Sequence, residues 1–209
     1  MQKIAAGCLG LVLLFFVIIV ITAIGTYNGL VGASQSVDAQ WAQVQTVYQR
    51  RADLIPNLVN TVAGAANFEK STLIAITQAR ASVGQVKLDA NQAPTDQAQL
   101  DKFAAAQSQV SSALSRLLVV VERYPDLKAN SNFRDLQAQL EGTENRISVE
   151  RQKFNDVVRI FNTKVKSFPT VFVAGALGFQ PKAYFQADVG AQSAPKVNFD
   201  FGGTPAPAH

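Results

Sequence analysis

The chain begins with a long apolar run and then settles into spaced apolar positions. From Ile4 to Gly25 (IAAGCLGLVLLFFVIIVITAIG) no residue carries a charge. As a helix, this stretch reaches about 33 Å at about 1.5 Å per residue, enough to cross a bilayer core of about 30 Å. A cleaved signal peptide is the rival reading, with Ala23-Ile24-Gly25 as its exit site. Such peptides have apolar cores of about 7–15 residues, and this run is longer. Beyond it, Tyr27, Val31, Ser34, Val37, Trp41, Val44 and Tyr48 alternate in steps of three and four. That is the seam of a helix laid against others. Nothing between Ala33 and Arg50 interrupts it, so the span is expected to run on into the first helix of a bundle.

Pro56 sets the next expectation. Proline disfavours helical geometry in the residue before it and suits the first turn of a new helix. Arg50–Asn57 is therefore read as the first turn, with Asp53 as a candidate cap. A second helix is expected to run to about Val83, with Leu58, Val62, Ala65 or Ala66, Glu69, Leu73, Ile76, Arg80 and Val83 in its seam. Gly84, Asn91 and Pro94 mark a loop, and Thr95 can cap a third helix. Leu100, Phe103, Gln107, Val110, Leu114, Leu117 and Val121 give that helix an unbroken seam. Gln107 is its one polar position and needs partners if buried. Tyr124-Pro125 ends it. Ser131 or Asn132 can cap a fourth helix carrying Phe133, Leu136, Leu140, Thr143, Ile147, Phe154, Phe161, Val165 and Phe168.

The fold class expected is all-α: an N-terminal transmembrane helix continuing into a long antiparallel up-down-up-down four-helix bundle with coiled-coil-like seams. The expected divisions are an anchor at 1–25, the bundle at 26–168, a short aromatic segment at 169–185 and a disordered tail at 186–209, rich in Gly, Ala, Pro and Ser.

Several ordered pieces carry a family resemblance. They are Tyr48-Gln-Arg-Arg-Ala-Asp-Leu-Ile-Pro-Asn-Leu-Val59, the preceding Tyr27-Asn28 and Trp41-Ala42, Tyr124-Pro125, Asn132-Phe133, Glu144-Asn145, Phe154-Asn155, Phe161-Asn162 and Phe168-Pro169 before Gly178-Phe179. Together they resemble the LemA family over about residues 25–185. Phe154 stands where a tyrosine is expected, and Asn67-Phe68 where a histidine or similar residue often precedes the glutamate. The resemblance implies a bacterial single-pass membrane protein with a long antiparallel helical bundle. It carries no catalytic residue onto this chain.

Charge and chemistry narrow the picture further. The 19 Lys and Arg against 15 Asp and Glu leave a formal charge of +4, and the two signs are interspersed. Without a basic stripe, nucleic acid is not an expected partner. His209 is the sole histidine and Cys8 the sole cysteine. Serine nucleophiles thus lack an imidazole base, Cys/His metal spacings are missing, and no intrachain disulfide is possible. A lipobox cysteine follows its apolar core, whereas Cys8 precedes most of this one. Glu141 and Glu144 stand i, i+3 but lack the Glu-x-x-His of di-metal bundles. No catalytic, metal-binding or cofactor-binding residue is named, and no cofactor is expected. Lys3 precedes the span, and the next basic residues are Arg50 and Arg51. Positive charge near a span marks its inner side. The N-terminus is therefore expected inside and the bundle on the periplasmic or extracytoplasmic side. With the bacterial host that the resemblance implies, the expected place is the inner (cytoplasmic) membrane.

Two surface features remain. Gly25, Gly29 and Ala33 fall four apart, a spacing that lets helices approach closely or loosens a joint. Phe172, Phe179, Tyr184 and Phe185 are aromatic handles expected to pack on the bundle end or dock a neighbouring subunit, with the membrane surface as a third alternative. Phe179, Tyr184 and Phe185 join Gly25, Gly29 and Ala33 as candidate oligomerisation contacts. Arg50, Arg51, Asp53 and Pro56 form a corner that braces a turn or docks a partner. The function expected is a non-catalytic scaffold self-assembling as a homo-oligomer at the lipid bilayer. The alternative is an accessory tether or regulator docking one-to-one on a membrane-protein partner such as a protease.

Overall fold

The computed structural model describes residues 2–64 and 68–186. The expected tail, beyond Gln186, lies outside them. The described residues form six helices and no strand: α1 (Gln2–Ala63), α2 (Lys70–Gln85), α3 (Gln97–Val121), α4 (Pro125–Ala129), α5 (Ser131–Lys166) and α6 (Thr170–Ala176).

α1 is one helix of 62 residues. Its first part is long and apolar enough to cross a membrane, and none of its most apolar window is buried against the rest of the chain. The same helix then supplies Val37, Trp41, Val44, Ile55, Leu58 and Val62 to the core. The turn expected at Arg50–Asn57 is absent, because α1 passes straight through Pro56. An interior proline has no N–H to give the carbonyl four residues back. That carbonyl belongs to Ala52, and the Arg80 guanidinium of α2 donates to it at 3.2 Å. A tertiary contact thus replaces the bond that local geometry forfeits. The break falls after Ala63 instead, so Leu58 and Val62 sit on α1 and α2 starts at Lys70.

The helices pack mainly as two pairs, α1 with α5 and α2 with α3. Along the first, Gln40 meets Glu150 and Arg51 meets Glu144, so the two helices run in opposite senses. Along the second, Ser82 meets Gln109 and Glu69 meets Arg123, again in opposite senses. Caps fall one or two residues from their expected places. Asp96, not Thr95, caps α3 by accepting from the Ala98 N–H at 2.8 Å. Asn130, not Ser131 or Asn132, caps α5 by accepting from the Phe133 N–H at 3.2 Å. Pro125 opens the short α4.

The core divides in two. A proximal cluster, nearer the N-terminal apolar run, gathers Leu30, Val37, Trp41, Val44, Tyr48, Phe103, Phe154, Phe161 and Phe185. A distal cluster gathers Ile55, Leu58, Val62, Ile76, Val110, Leu114, Leu117, Val121 and Phe133. Between them lies the level of Arg51. After α5, the cis Phe168–Pro169 bond leads into α6, and Gly178 turns the chain with a φ of 75° that glycine adopts without strain. Residues 179–186 then return along the helical body as a strap.

Candidate functional site

The level of Arg51 is polar. This side chain is 2% exposed, and no charged group stays so buried without partners. Its guanidinium donates to the Glu144 carboxylate at 2.6 Å and to the Ser111 hydroxyl at 2.8 Å. It also donates to the Gln107 side-chain carbonyl, and to the Gln107 backbone carbonyl at 3.3 Å. The Tyr48 ring lies against it, 5.2 Å from centroid to guanidinium carbon. Burial raises the Tyr48 phenol above its ordinary pKa, against the pull of the Arg151 and Arg51 charges. Gln107 thereby finds the partner its seam position demanded. Three helices meet at this one cation, α1 through Arg51, α3 through Gln107 and Ser111, and α5 through Glu144.

The strap is held by side-chain amides. Asn162 donates to the Lys182 carbonyl and accepts from the Lys182 N–H, both at 2.8 Å. Asn155 does the same to Phe185 at 2.8 and 2.9 Å, and Gln97 to Tyr184 at 2.8 and 3.0 Å. Each amide offers the strap the donor and acceptor that a neighbouring strand would. In both Phe-Asn pairs the phenylalanine enters the core and the asparagine clamps the strap. Phe154-Asn155 and Phe161-Asn162 were visible in the sequence, but their division of labour was not. Lys182 is buried too; its ammonium donates to the Ala93 carbonyl at 3.0 Å and stands 3.6 Å from the Asp38 carboxylate. Asp38 in turn accepts from the Ala93 N–H at 2.8 Å. Nothing in the sequence pattern singled out Lys182, Asp38 or Gln97.

The residues expected to make subunit contacts are split by the structure. Phe185 is buried against the Trp41 and Phe154 rings, so of its two favoured readings the structure shows packing. Tyr184 is half-buried in the strap, and Phe179 meets Tyr27 edge-on at 6.1 Å. Gly25 and Gly29 stay open, since a Cβ at either would meet nothing within 4 Å. Ala33 packs instead on the proximal cluster. The Arg50, Arg51, Asp53 and Pro56 corner is not a turn. Arg51 points inward, while Arg50 and Asp53 are exposed on α1, Asp53 accepting from Gln49 at 2.8 Å.

The remaining sequence candidates are placed as follows. Glu69, expected in the second seam, is exposed and pairs with Arg123 at 3.2 Å across two exposed side chains. Glu141 and Glu144 border one 460 Å³ pocket beside Leu140 and Leu118, but the Glu144 carboxylate is engaged by Arg51. An open groove of about 1570 Å³ runs between α2 and α3, floored by small residues such as Ala75, Ala79, Ala104, Ser108 and Ser112. Among the described residues no group of three or more acidic, histidine or cysteine side chains converges as a metal site would.

The model of the LemA family matches residues 40–199, which include the Arg51 level, both Phe-Asn pairs and the strap. The chain belongs to the LemA family. Among relatives of this LemA-family chain, protein LemA of Metamycoplasma hominis is 27% identical over 181 residues, covering 83% of this chain and 78% of its own length. Magnetosome protein MamQ 2 of Paramagnetospirillum magneticum is 26% identical over 180 residues, covering 79% of this chain and 66% of its own length. Magnetosome protein MamQ of Magnetospirillum gryphiswaldense is 24% identical over 192 residues, with 85% and 71% covered. None of these names denotes an enzyme.

Proposed function

We propose that this protein is a non-catalytic membrane scaffold. α1 anchors it as a single pass in the bacterial inner membrane. α1, α2, α3 and α5 form an up-down-up-down four-helix bundle on the periplasmic or extracytoplasmic side, and copies self-assemble. The observation that carries this reading is the continuity of α1. One unbroken helix is apolar and uncovered over its first part and becomes the core of the body over its second. A rigid joint of this kind transmits position between bilayer and bundle, which suits a scaffold. At the Arg51 level the polar side chains engage one another, Arg51 with Glu144 and Gln107.

Self-assembly is expected to use the open Gly25 and Gly29 face. Its test is the mass of the full chain extracted with native lipid. A defined oligomer whose mass falls in Gly29→Leu supports the reading; an unchanged oligomer removes that face, and a monomer removes self-assembly. The α2–α3 groove favours a second reading, an accessory tether that receives a helix of a membrane-protein partner. Small side chains let backbones approach closely. A one-to-one complex lost in Ser108→Trp would support it, and capture unaffected by that change would exclude the groove.

A further inference from the structure

The end of α5 is level with the end of the apolar run. The Gln40–Glu150 and Arg51–Glu144 contacts set the register of the antiparallel pair to within about five residues, placing the end of α5 level with Ile24 by the first and with Gly29 by the second. Going 16 residues from Gln40 toward the N-terminus of α1 reaches Ile24, the last large apolar residue of the run. The same number from Glu150 along α5 reaches Lys166, the last residue of that helix. Each path is about 24 Å long. The Tyr27–Phe179 ring contact pins the far side of α6 to the same level of α1. The corner formed by residues 166–178 therefore lies where α1 leaves its apolar stretch.

That corner exposes apolar surface which the protein does not cover. Phe168 is 81% exposed, Phe172 70% and Leu177 52%. The rings of Phe168 and Phe172 meet edge-on at 6.0 Å and form a single knob. Elsewhere on the helical body, large exposed apolar residues such as Ile74, Val119 and Val149 are scattered singly. Along the chain between Asp156 and Gln186 there is no carboxylate, and the first acid of α1 is Asp38. Lys182 is buried beside Asp38, Arg159 pairs with Asp156, and Asp89 and Asp96 border the Leu177 and Gly178 side of the corner. Lys164 and Lys166, in the last turn of α5, are exposed.

We propose that the α5–α6 corner seats in the headgroup region of the bilayer that α1 crosses, with Phe168 and Phe172 in the acyl boundary and Lys164 and Lys166 on anionic phosphates. Aromatic and aliphatic side chains flanked by lysines are the composition that binds such a boundary. The inference rests on reading α1 as a membrane span. It gives the bundle a second foot, so the body stands at a fixed tilt and rotation on the membrane.

Tryptophan quenching tests it on the full chain in vesicles of phosphatidylcholine and phosphatidylglycerol with brominated acyl chains. Trp41 is the only native tryptophan and is buried about 24 Å beyond the span, so the parent protein gives the background. Phe168→Trp and Phe172→Trp change exposed side chains and should leave the fold intact. Each added emission should fall by half or more in brominated lipid, as should that of Phe15→Trp within the span, while Val149→Trp should not respond. If Phe15→Trp is quenched by lipid but the two corner variants answer only to aqueous iodide, the second foot is wrong and the span stands. Corner variants shielded from both quenchers would mean that protein covers the knob, which also overturns the inference. An unquenched Phe15→Trp would overturn the span and the foot together.

Discussion

The proximal and distal halves of the helical body solve one packing problem with different material. In the distal half α2 is present, and α1, α2, α3, α4 and α5 all contribute to a core of mostly aliphatic side chains such as Leu58, Val62, Ile76, Leu114 and Leu117. In the proximal half α2 has ended. Its place is taken by the loop that supplies Ala93 and by the strap that supplies Ala183 and Phe185. Irregular backbone brings fewer side chains per unit length, so rings fill the space: Trp41 alone touches Phe103, Phe154 and Phe185. It also brings backbone polar groups that helix geometry would have satisfied internally. The Asn155, Asn162 and Gln97 amides and the Trp41 indole N–H, donated to the Asp89 carbonyl at 2.9 Å, answer that need. The difference teaches that the proximal half depends on a few multi-purpose side chains, whereas the distal half spreads its stability over many replaceable ones.

Trp41→Ala should break the comparison most sharply. It empties the centre of the proximal cluster, and losses of about 3–5 kcal/mol are usual for such truncations. Hydrogen exchange in detergent micelles should show Lys182, Tyr184 and Phe185 amides losing protection well before those of α2. Equal loss in both halves would mean that the two clusters open as one unit. Arg51→Met comes next, at roughly 2–3 kcal/mol, because Gln107 loses its buried partner. Glu144, 39% exposed, can turn to water and so limits the cost. The thermal midpoint should fall in Arg51→Met and recover in part when Gln107→Leu is added. A midpoint indifferent to Arg51 would make the polar level filler.

Asn162→Ala should cost about 1–2 kcal/mol, since the Lys182 N–H and carbonyl lose both partners at once. Proteolytic nicking confined to residues 179–186 would locate the damage in the strap; an unchanged digestion pattern would deny the clamp its role. The smallest effect is a pH dependence. Hydrogen bonds from Lys153 and Gln40 hold the Glu150 carboxyl below its ordinary value of 4.5. The folded state thus binds its proton less readily than the unfolded state. The stabilisation is present above about pH 4.5 and is lost as pH falls through the lower folded value. Glu150→Gln should flatten that part of the acid melting curve slightly, and an identical curve would show the α1–α5 contact to be energetically silent.

Much of this was legible because it is local. The uncharged run, the continuation of α1 and the three-four seam of α3 rest on spacing along one chain, and every seam residue of α3 from Leu100 to Val121 is buried. Gln107 announced a need for partners without naming them. The turn at Pro56 was misread for a physical reason: local rules count the lost N–H, but only the fold brings Arg80 to Ala52. Phe185 was left between packing and subunit docking because an aromatic residue in irregular sequence has no period to show which way it faces.

The sequence by itself therefore determined the helical class, the apolar first helix and the inward side of α3 and of α5 as far as Val165, because periodicity along a helix fixes its apolar face. Glu69, Arg80 and Phe168, expected in the seams, are exposed, Phe168 because α5 ends before it. Tertiary structure alone decided that Arg51, Gln107 and Glu144 share one level and that α1 survives its proline. It also decided that the strap lies in the groove left by α2, and that Phe168 and Phe172 come level with the end of the apolar run. These depend on register between segments from 28 to about 150 residues apart, and register is set by packing, which no single segment contains.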